Sequence, residues 1–215
     1  MLGWTVSNWR APAAELHALE LPAAGRHVWV LQASRPALVL GSTQPDTDAD
    51  AAACAAAGVD VARRRSGGGA VLVGPDECTW IDVLVPRGDL LWDDDVGRAT
   101  WWLGDIWVAA LSAVGVDGGR VHRAGMVPSA WSKVVCFAGL GPGEVIDAAG
   151  AKVAGVSQRR TRAMARFQCA VPRQWDPDRL SGLLTARPPA AEIAGVHPVL
   201  ADPATVVDAF LAALP

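Results

Sequence analysis

Three segments of this 215-residue chain hold residue types able to do chemistry together. The first is Arg63-Arg64-Arg65-Ser66-Gly67-Gly68-Gly69-Ala70-Val71. Its three consecutive glycines open backbone conformations closed to other residues and let a ligand approach the main chain. Amides in such a turn can converge on an anion, and the arginines just before it offer forked, permanently charged donors for carboxylate or phosphate oxygens. It is not a Walker loop, because the closing Gly-Lys-Ser/Thr is missing. The second segment runs from Gly150 to Arg159 and contains Lys152, a compact cation able to hold a carbonyl or phosphate oxygen. The third is Cys136-Phe137. A thiolate there would be a good nucleophile for thioester exchange if positive charge, such as that of Lys152, lowered its pKa. The same cysteine, within Val134-Val135-Cys136-Phe137, also suits a small buried core position.

The elements that must carry these segments follow from periodicity and punctuation. Val28 to Gln32 and Ala37 to Gly41 read as strands leading into turns. Asp46 to Ala57 is alanine-rich, opens on acidic and Thr residues and stops at Gly58, which predicts a helix. Val59 to Arg63 and Ala70 to Val73 read as strands around the glycine run, a strand, tight loop, strand unit. Trp80 to Val85 alternates like a strand. Asp94 to Val114 has helical spacing with Trp102, Ile106, Ala109 and Ala110 on one stripe. Lys133 to Phe137, Gly143 to Ala148 and Ala151 to Val156 are extended candidates, the last two joined by a hairpin turn at Ala149-Gly150. Phe167 to Val171 follows as a strand, then helices at Pro177 to Leu184 and Pro203 to Leu214 around a Pro-rich connector from Arg187 to Pro189. Strands adjacent in sequence point to an α+β fold with a mixed, mostly antiparallel sheet flanked by helices.

The arginine-glycine segment resembles the Arg-Arg-x-Ser-Gly-Gly-Gly-Ala-Val motif of the lipoate-protein ligase A and octanoyltransferase family, within the biotin/lipoate ligase superfamily. Two more segments are similar to that family in the same order. Gly41-Ser42-Thr43-Gln44-Pro45 is like its Gly-x-x-Gln loop. Gly150-Ala151-Lys152-Val153-Ala154-Gly155-Val156-Ser157-Gln158-Arg159 is like its Gly-x-Lys-hydrophobic-x-Gly-Ser-Ala-Gln-Arg stretch. The matches span about residues 28–171. The resemblance implies a catalytic domain of the biotin/lipoate ligase type whose sheet forms a tunnel for a medium-length acyl chain, with the reactive carbonyl at the mouth. It implies substrate contacts from Gln44, Arg64, Ser66, Gly67, Gly68, Gly69, Ala70, Gly155, Val156 and Ser157, a catalytic role for Lys152 and nucleotide contacts from Glu144, Gly69 and Lys152.

Two enzyme mechanisms follow from the same resemblance. A lipoate-protein ligase would use ATP and Mg2+ to make an acyl-adenylate and pass the lipoyl or octanoyl group to a lysine of a lipoyl carrier domain, of the glycine cleavage H protein or 2-oxoacid dehydrogenase E2 type. An octanoyltransferase would need no nucleotide: Cys136, placed like the Cys-Phe pair of such relatives, would take octanoate from acyl carrier protein as a thioester. Cys169 is a further candidate nucleophile, where relatives tend to have Gln-His-Gly and this chain has Gln168-Cys169. The chain also departs in having Leu72-Val73-Gly74-Pro75 where many relatives have His-Asp, and Glu144 where ligases often show Asn-Asp. These departures motivate a third reading, a non-catalytic acyl binder.

Composition narrows the rest. The net charge of −3 argues against broad nucleic-acid affinity, although Arg63 to Arg65 and the group Lys152, Arg159, Arg160, Arg162 and Arg166 suggest a site for a discrete anion. The four cysteines, Cys54, Cys78, Cys136 and Cys169, form no C-x-x-C pair and suggest neither a metal site nor a disulfide framework. No apolar run approaches the roughly 20 residues of a membrane span, and the first ten residues lack an export signal. The expectation is a cytoplasmic protein of one catalytic domain over residues 1–215, without the small C-terminal accessory domain of the longer ligases, that function falling to a separate subunit if it is needed.

Overall fold

The computed structural model describes residues 3–215, so the reading of the N-terminus as free of an export signal falls partly on residues 1–2, outside them. Ten strands and five α-helices follow in the order β1 (Trp4–Ala11), α1 (Ala13–Ala18), β2 (Arg26–Ala33), β3 (Ala37–Leu40), α2 (Ala51–Ala56), β4 (Asp60–Arg63), β5 (Val71–Val73), β6 (Cys78–Pro86), α3 (Trp101–Ala113), β7 (Arg120–Val121), β8 (Val145–Ile146), β9 (Lys152–Arg160), β10 (Met164–Pro172), α4 (Pro177–Gly182) and α5 (Pro203–Ala212). The large sheet has the order β1-β2-β6-β10-β9-β8-β7, and its pairings are antiparallel except for the parallel edge pair β1 and β2. A small sheet, β4-β3-β5, lies against it. The expected α+β class with a mostly antiparallel sheet is what forms.

The central strands are buried on both faces, which places the large sheet between two layers. On one face Ile81, Val83 and Val85 of β6 and Phe167 of β10 pack with α3 and α5, where the Trp107 and Phe210 rings meet at 4.5 Å. On the other, Trp80 and Leu84 of β6 and Trp29 and Leu31 of β2 pack against Val39, Ala62 and Val73 of the small sheet. β6 therefore alternates between two cores and not between core and water, as the alternation at 80–85 alone would suggest.

Several expectations need correction. The helix predicted at 46–57 starts later: 46–48 is a 3-10 turn, and Asp50 caps α2 by accepting from the Ala53 amide. Gly58, with φ of +64°, ends it as expected. The helix predicted at 94–114 begins at Trp101, because Asp95 draws the amides of Gly97 and Arg98 into a loop before it. Its buried stripe is Leu103, Gly104, Trp107, Ala110 and Leu111, with Trp102 and Ile106 at the margin and Ala109 exposed. Lys133 to Phe137 is not a strand: it makes one bridge, Ala70 to Val135, and then turns into a 3-10 helix over Cys136–Ala138. β4 and β5 do not pair with each other. They flank β3, one parallel and one antiparallel, so the loop between them crosses the end of β3.

Candidate active site

That crossing explains the glycine run. Loop 64–70 lies on the turn after β3, where the Ser42 amide donates to the Ser66 carbonyl at 2.9 Å. A Cβ at Gly41 would lie 1.8 Å from the Gly68 oxygen, and one at Gly69 would lie 2.6 Å from the Val135 nitrogen, so both positions must be bare. Gly68 has φ of +100° and faces Cys136: a Cβ there would be 3.8 Å from the Sγ. Arg64 is 3% exposed and folds back inside the loop, donating to the carbonyls of Val39, Gly67 and Gly69. Its charge is thus spent on orienting the loop, with the carbonyls of Gly67 and Gly69 turned toward it. Among the described residues no hydrogen bond takes up the N–H groups of Gly67, Gly68 or Gly69. Amides left free in such a turn are the kind of group that can bind an oxyanion.

Gln44 and Cys136 belong to the same scaffold. Gln44 accepts from the Gly41 amide and donates to Asp48 and to the Val134 carbonyl, tying the 41–44 turn to the segment ahead of Cys136. The Ala70 amide donates to Val134 and the Cys136 amide to Ala70, at 2.8 and 2.9 Å. The glycine loop and the cysteine are therefore laced together by main-chain bonds.

Lys152 opens β9 and approaches Cys136 from the other side. Its ammonium donates to the carbonyls of Cys136 and Gly139 at 3.1 and 3.0 Å and to Glu144 Oε2 at 2.7 Å. Both Lys152 and Glu144 are 4% exposed. Glu144 also accepts from the amides of Gly141 and Val156. The lysine's three N–H groups are all engaged, and its charge is balanced by a buried carboxylate. Lys152 and the glycine loop meet through the Cys136 segment and not directly. Gly155 makes room for this packing, since a Cβ there would press on the Phe137 ring at 3.1 Å and on Lys152 Cε at 3.5 Å.

A narrow cavity, open to solvent at its mouth, lies between the two sheets. Val71 and Val73 of β5 form one wall, and Trp80, Gly155, Val156, Ser157, Gln168 and Cys169 of the large sheet form the other, with His17, Arg64, Cys136 and Phe137 closing it. Of the residues singled out from sequence, Arg64, Cys136, Gly155, Val156 and Ser157 line this space. Ser66 borders it by hydrogen bonds to the Ser157 hydroxyl at 3.0 Å and to Gln168 Oε1 at 2.7 Å. Gly67, Gly68, Gly69 and Ala70 reach the Cys136 segment without lining the cavity, and Gln44, Lys152 and Glu144 stand behind it. Cys169 is fully buried with its side chain turned to the α3 side of the sheet, beside Trp107 and away from the cavity, and burial pushes its thiol far up.

The second basic group does not form one patch. Arg166 is 1% exposed, bonded to Asp82 at 2.6 Å and to the carbonyls of Leu16 and His17. Arg160 stacks on Trp92. Burial and the neighbouring charges of Arg65 and Arg166 lower the Arg159 pKa. Sequence reasoning missed α1 and its His17, the Trp80 wall and the Asp82–Arg166 pair. A six-residue helix and isolated polar residues leave no periodic signal that would reveal them.

The whole chain superposes on solved lipoyl-attaching enzymes, at identities that speak to the fold alone. A bi-partite lipoate protein ligase from Thermoplasma acidophilum, solved as part of a lipoylation system with its E2 lipoyl domain, is 16% identical with a TM-score of 0.76, covering 99% of this chain and 82% of its own. A lipoate-protein ligase A bound with ATP is 16% identical with a TM-score of 0.74, covering 97% and 83%. LipL1 of P. falciparum, in complex with lipoate, is 13% identical with a TM-score of 0.67, covering 98% and 60%. No curated protein matches the chain in sequence. Residues 8–214 match the family described as the lipoyl protein ligase A/B catalytic domain, and with the three motifs and the intersheet cavity in place, that is the family to which this chain belongs.

Proposed function

We propose that this protein transfers a medium-length acyl group, lipoyl or octanoyl, to a lysine of a lipoyl carrier domain, with Cys136 holding the acyl group as a thioester between donor and acceptor. One observation carries the choice of mechanism. The ammonium of Lys152 is already engaged with Glu144, Cys136 O and Gly139 O, whereas Cys136 borders the cavity with its thiol beside Gly68 of the glycine loop.

In the first half-reaction the Cys136 thiolate attacks the thioester carbonyl of the donor, acyl carrier protein in the octanoyl case. The carbon–sulfur bond to the donor breaks, and the departing thiol takes up the proton that Cys136 gave. In the second, the carrier's lysine amine attacks the Cys136 thioester, an amide forms, and the proton returns to Cys136. Negative charge builds on the carbonyl oxygen in both steps, and the amides of Gly67 to Gly69 stand ready to hold it. Lys152 acts from behind by fixing the main chain of Cys136, with its charge set against Glu144. Lys152 and Glu144, the residues that the ligase mechanism would bring to ATP and Mg2+, are paired with each other. A phosphate at Lys152 would displace an acceptor and meet the Glu144 carboxylate, so Glu144 serves the lysine and not a nucleotide.

The acceptor we favour is a carrier domain of the 2-oxoacid dehydrogenase E2 or glycine cleavage H type, a reading supported by the lipoyl domain solved with the Thermoplasma relative. Residues 1–215 act as one catalytic domain, joined by a separate accessory subunit only if ATP activation proves to be its task. The cytoplasm suits its four unpaired thiols. Among the described residues no helix is long and apolar enough to cross a membrane.

The test is the mass gained by a carrier domain with octanoyl acyl carrier protein as donor, against free octanoate or lipoate with ATP. Gain from the thioester donor, lost in Cys136→Ser, is the expected result. Gain that requires ATP and survives Cys136→Ser would establish the adenylate mechanism instead, and no gain from either donor would leave a non-catalytic acyl binder.

A further inference from the structure

The cavity wall holds a donor that nothing satisfies. His17 is 6% exposed, lines the cavity, and its Nε2 has no hydrogen-bond partner among the described residues. The proton can be placed on that nitrogen. Gln168 Nε2 lies 3.1 Å from His17 Nδ1 and 3.5 Å from Asp82 Oδ2, while its Oε1 meets the Ser66 hydroxyl at 2.7 Å. A carboxylate only accepts, so the amide nitrogen belongs on the Asp82 side, and Nδ1 must then be the bare, accepting nitrogen. Burial, Arg166 and Arg64 keep the ring neutral, lowering its pKa to about 3. The ring is also held in place. It packs at a tilt against Trp80 with centroids 4.6 Å apart, and Arg166, anchored to Asp82, holds the carbonyls of Leu16 and His17. A buried N–H left unpaired costs free energy, and a saturated hydrocarbon chain would leave it so. An occupant with an acceptor at that depth would not.

We propose that His17 is a specificity-determining residue: its Nε2–H, beside the Trp80 indole, reads a sulfur or oxygen atom carried on the buried part of the acyl chain and favours a dithiolane-bearing chain over a plain saturated one. Sulfur suits both neighbours, as a weak acceptor for the N–H and as a polarizable partner for an aromatic ring. The inference rests on the cavity being the acyl site, as proposed above, but not on the chemistry of Cys136.

Calorimetric titration of the Cys136→Ala protein, which cannot exchange thiols with a dithiolane, separates these claims. Free lipoate should bind roughly tenfold more tightly than octanoate, about 1.4 kcal/mol, and His17→Phe should bring the ratio near one. Equal affinities in the parent, or an unchanged ratio in His17→Phe, would overturn the role of His17 while leaving the acyl cavity standing. Failure of both acids to bind would overturn the cavity reading along with it. A second measurement does not depend on the variant folding: lipoate, and not octanoate, should shift the Nε2–H resonance of His17 in the parent protein, and an unmoved resonance would refute the contact.

Discussion

Replacing Lys152 by Met and Glu144 by Gln, singly and together, tests whether the lysine's charge is committed to the protein or held for a ligand. Each single change leaves the other partner buried with an uncompensated charge, since both side chains are about as buried as the core around them, at 4% exposure. Breaking a buried pair by removing one partner costs about 3–5 kcal/mol. In Lys152→Met the carboxylate keeps only the amides of Gly141 and Val156, and in Glu144→Gln the ammonium keeps only the carbonyls of Cys136 and Gly139. The double variant removes both charges and retains a side chain of similar length at each position. Its cost should therefore fall well short of the sum, with a coupling of about 2–3 kcal/mol, the upper part of the range for contacting residues. Urea denaturation of the four proteins at pH 7, compared at constant m-value, reads this directly. Single-variant losses that simply add in the double variant would show that the pair is not coupled, and the argument that Lys152 is unavailable to a phosphate would fall with it.

The remaining predictions concern the loop, the histidine and the cysteines. Gly69→Ala places a Cβ against the main chain of Val135 and Cys136, at 2.6 to 2.8 Å. It should cost about 1–3 kcal/mol in stability and, by moving the cysteine, lower acyl transfer about a hundredfold. A fully active variant would show that the loop and Cys136 need no fixed relation. His17 has a folded pKa of about 3 against an ordinary 6.5, so the unfolded chain binds the extra proton between those values and stability falls as pH drops below about 6.5. The loss should reach about 2 kcal/mol at pH 5, and the pH slope of urea midpoints should flatten in His17→Phe, while an identical slope in both proteins would contradict a buried neutral ring. Cys54 and Cys169 are buried and burial pushes the Cys78 thiol up to about 12, so iodoacetamide at pH 7.5 should modify Cys136 first by peptide mapping; earlier modification of Cys78 or Cys169 would be contrary.

The site was legible in sequence wherever chemistry demanded a backbone exception. Gly67 to Gly69 and Gly41 announce themselves because a Cβ at Gly41 or Gly69 would collide with neighbouring main chain. A strand such as β6 announces itself by its β-branched residues, Thr79, Ile81, Val83 and Val85. What sequence could not show was partnership. Arg64 looked like a ligand's counter-ion, but its guanidinium is consumed by two carbonyls of its own loop and one of β3, a fact set by how the loop crosses β3. Lys152 looked like a free cation, and Glu144 like a nucleotide ligand, because a separation of 8 positions in sequence says nothing of a 2.7 Å contact made across the β8–β9 hairpin. Of the second arginine group, Arg159 and Arg166 are cross-strand neighbours on one face, Arg160 points to the other because successive side chains on a strand alternate, and Arg166 is taken up by Asp82. His17, in a helix of six residues, gave no periodic signal at all.

The measurement closest to the central claim is the intact mass of the protein after brief exposure to octanoyl acyl carrier protein with no acceptor and no ATP. A gain of one octanoyl group, localised to the Cys136 peptide, removed by hydroxylamine and passed to a carrier domain when one is added, is the predicted result. A protein that stays unacylated under these conditions, yet loads the carrier domain when supplied with free acid and ATP, would contradict it.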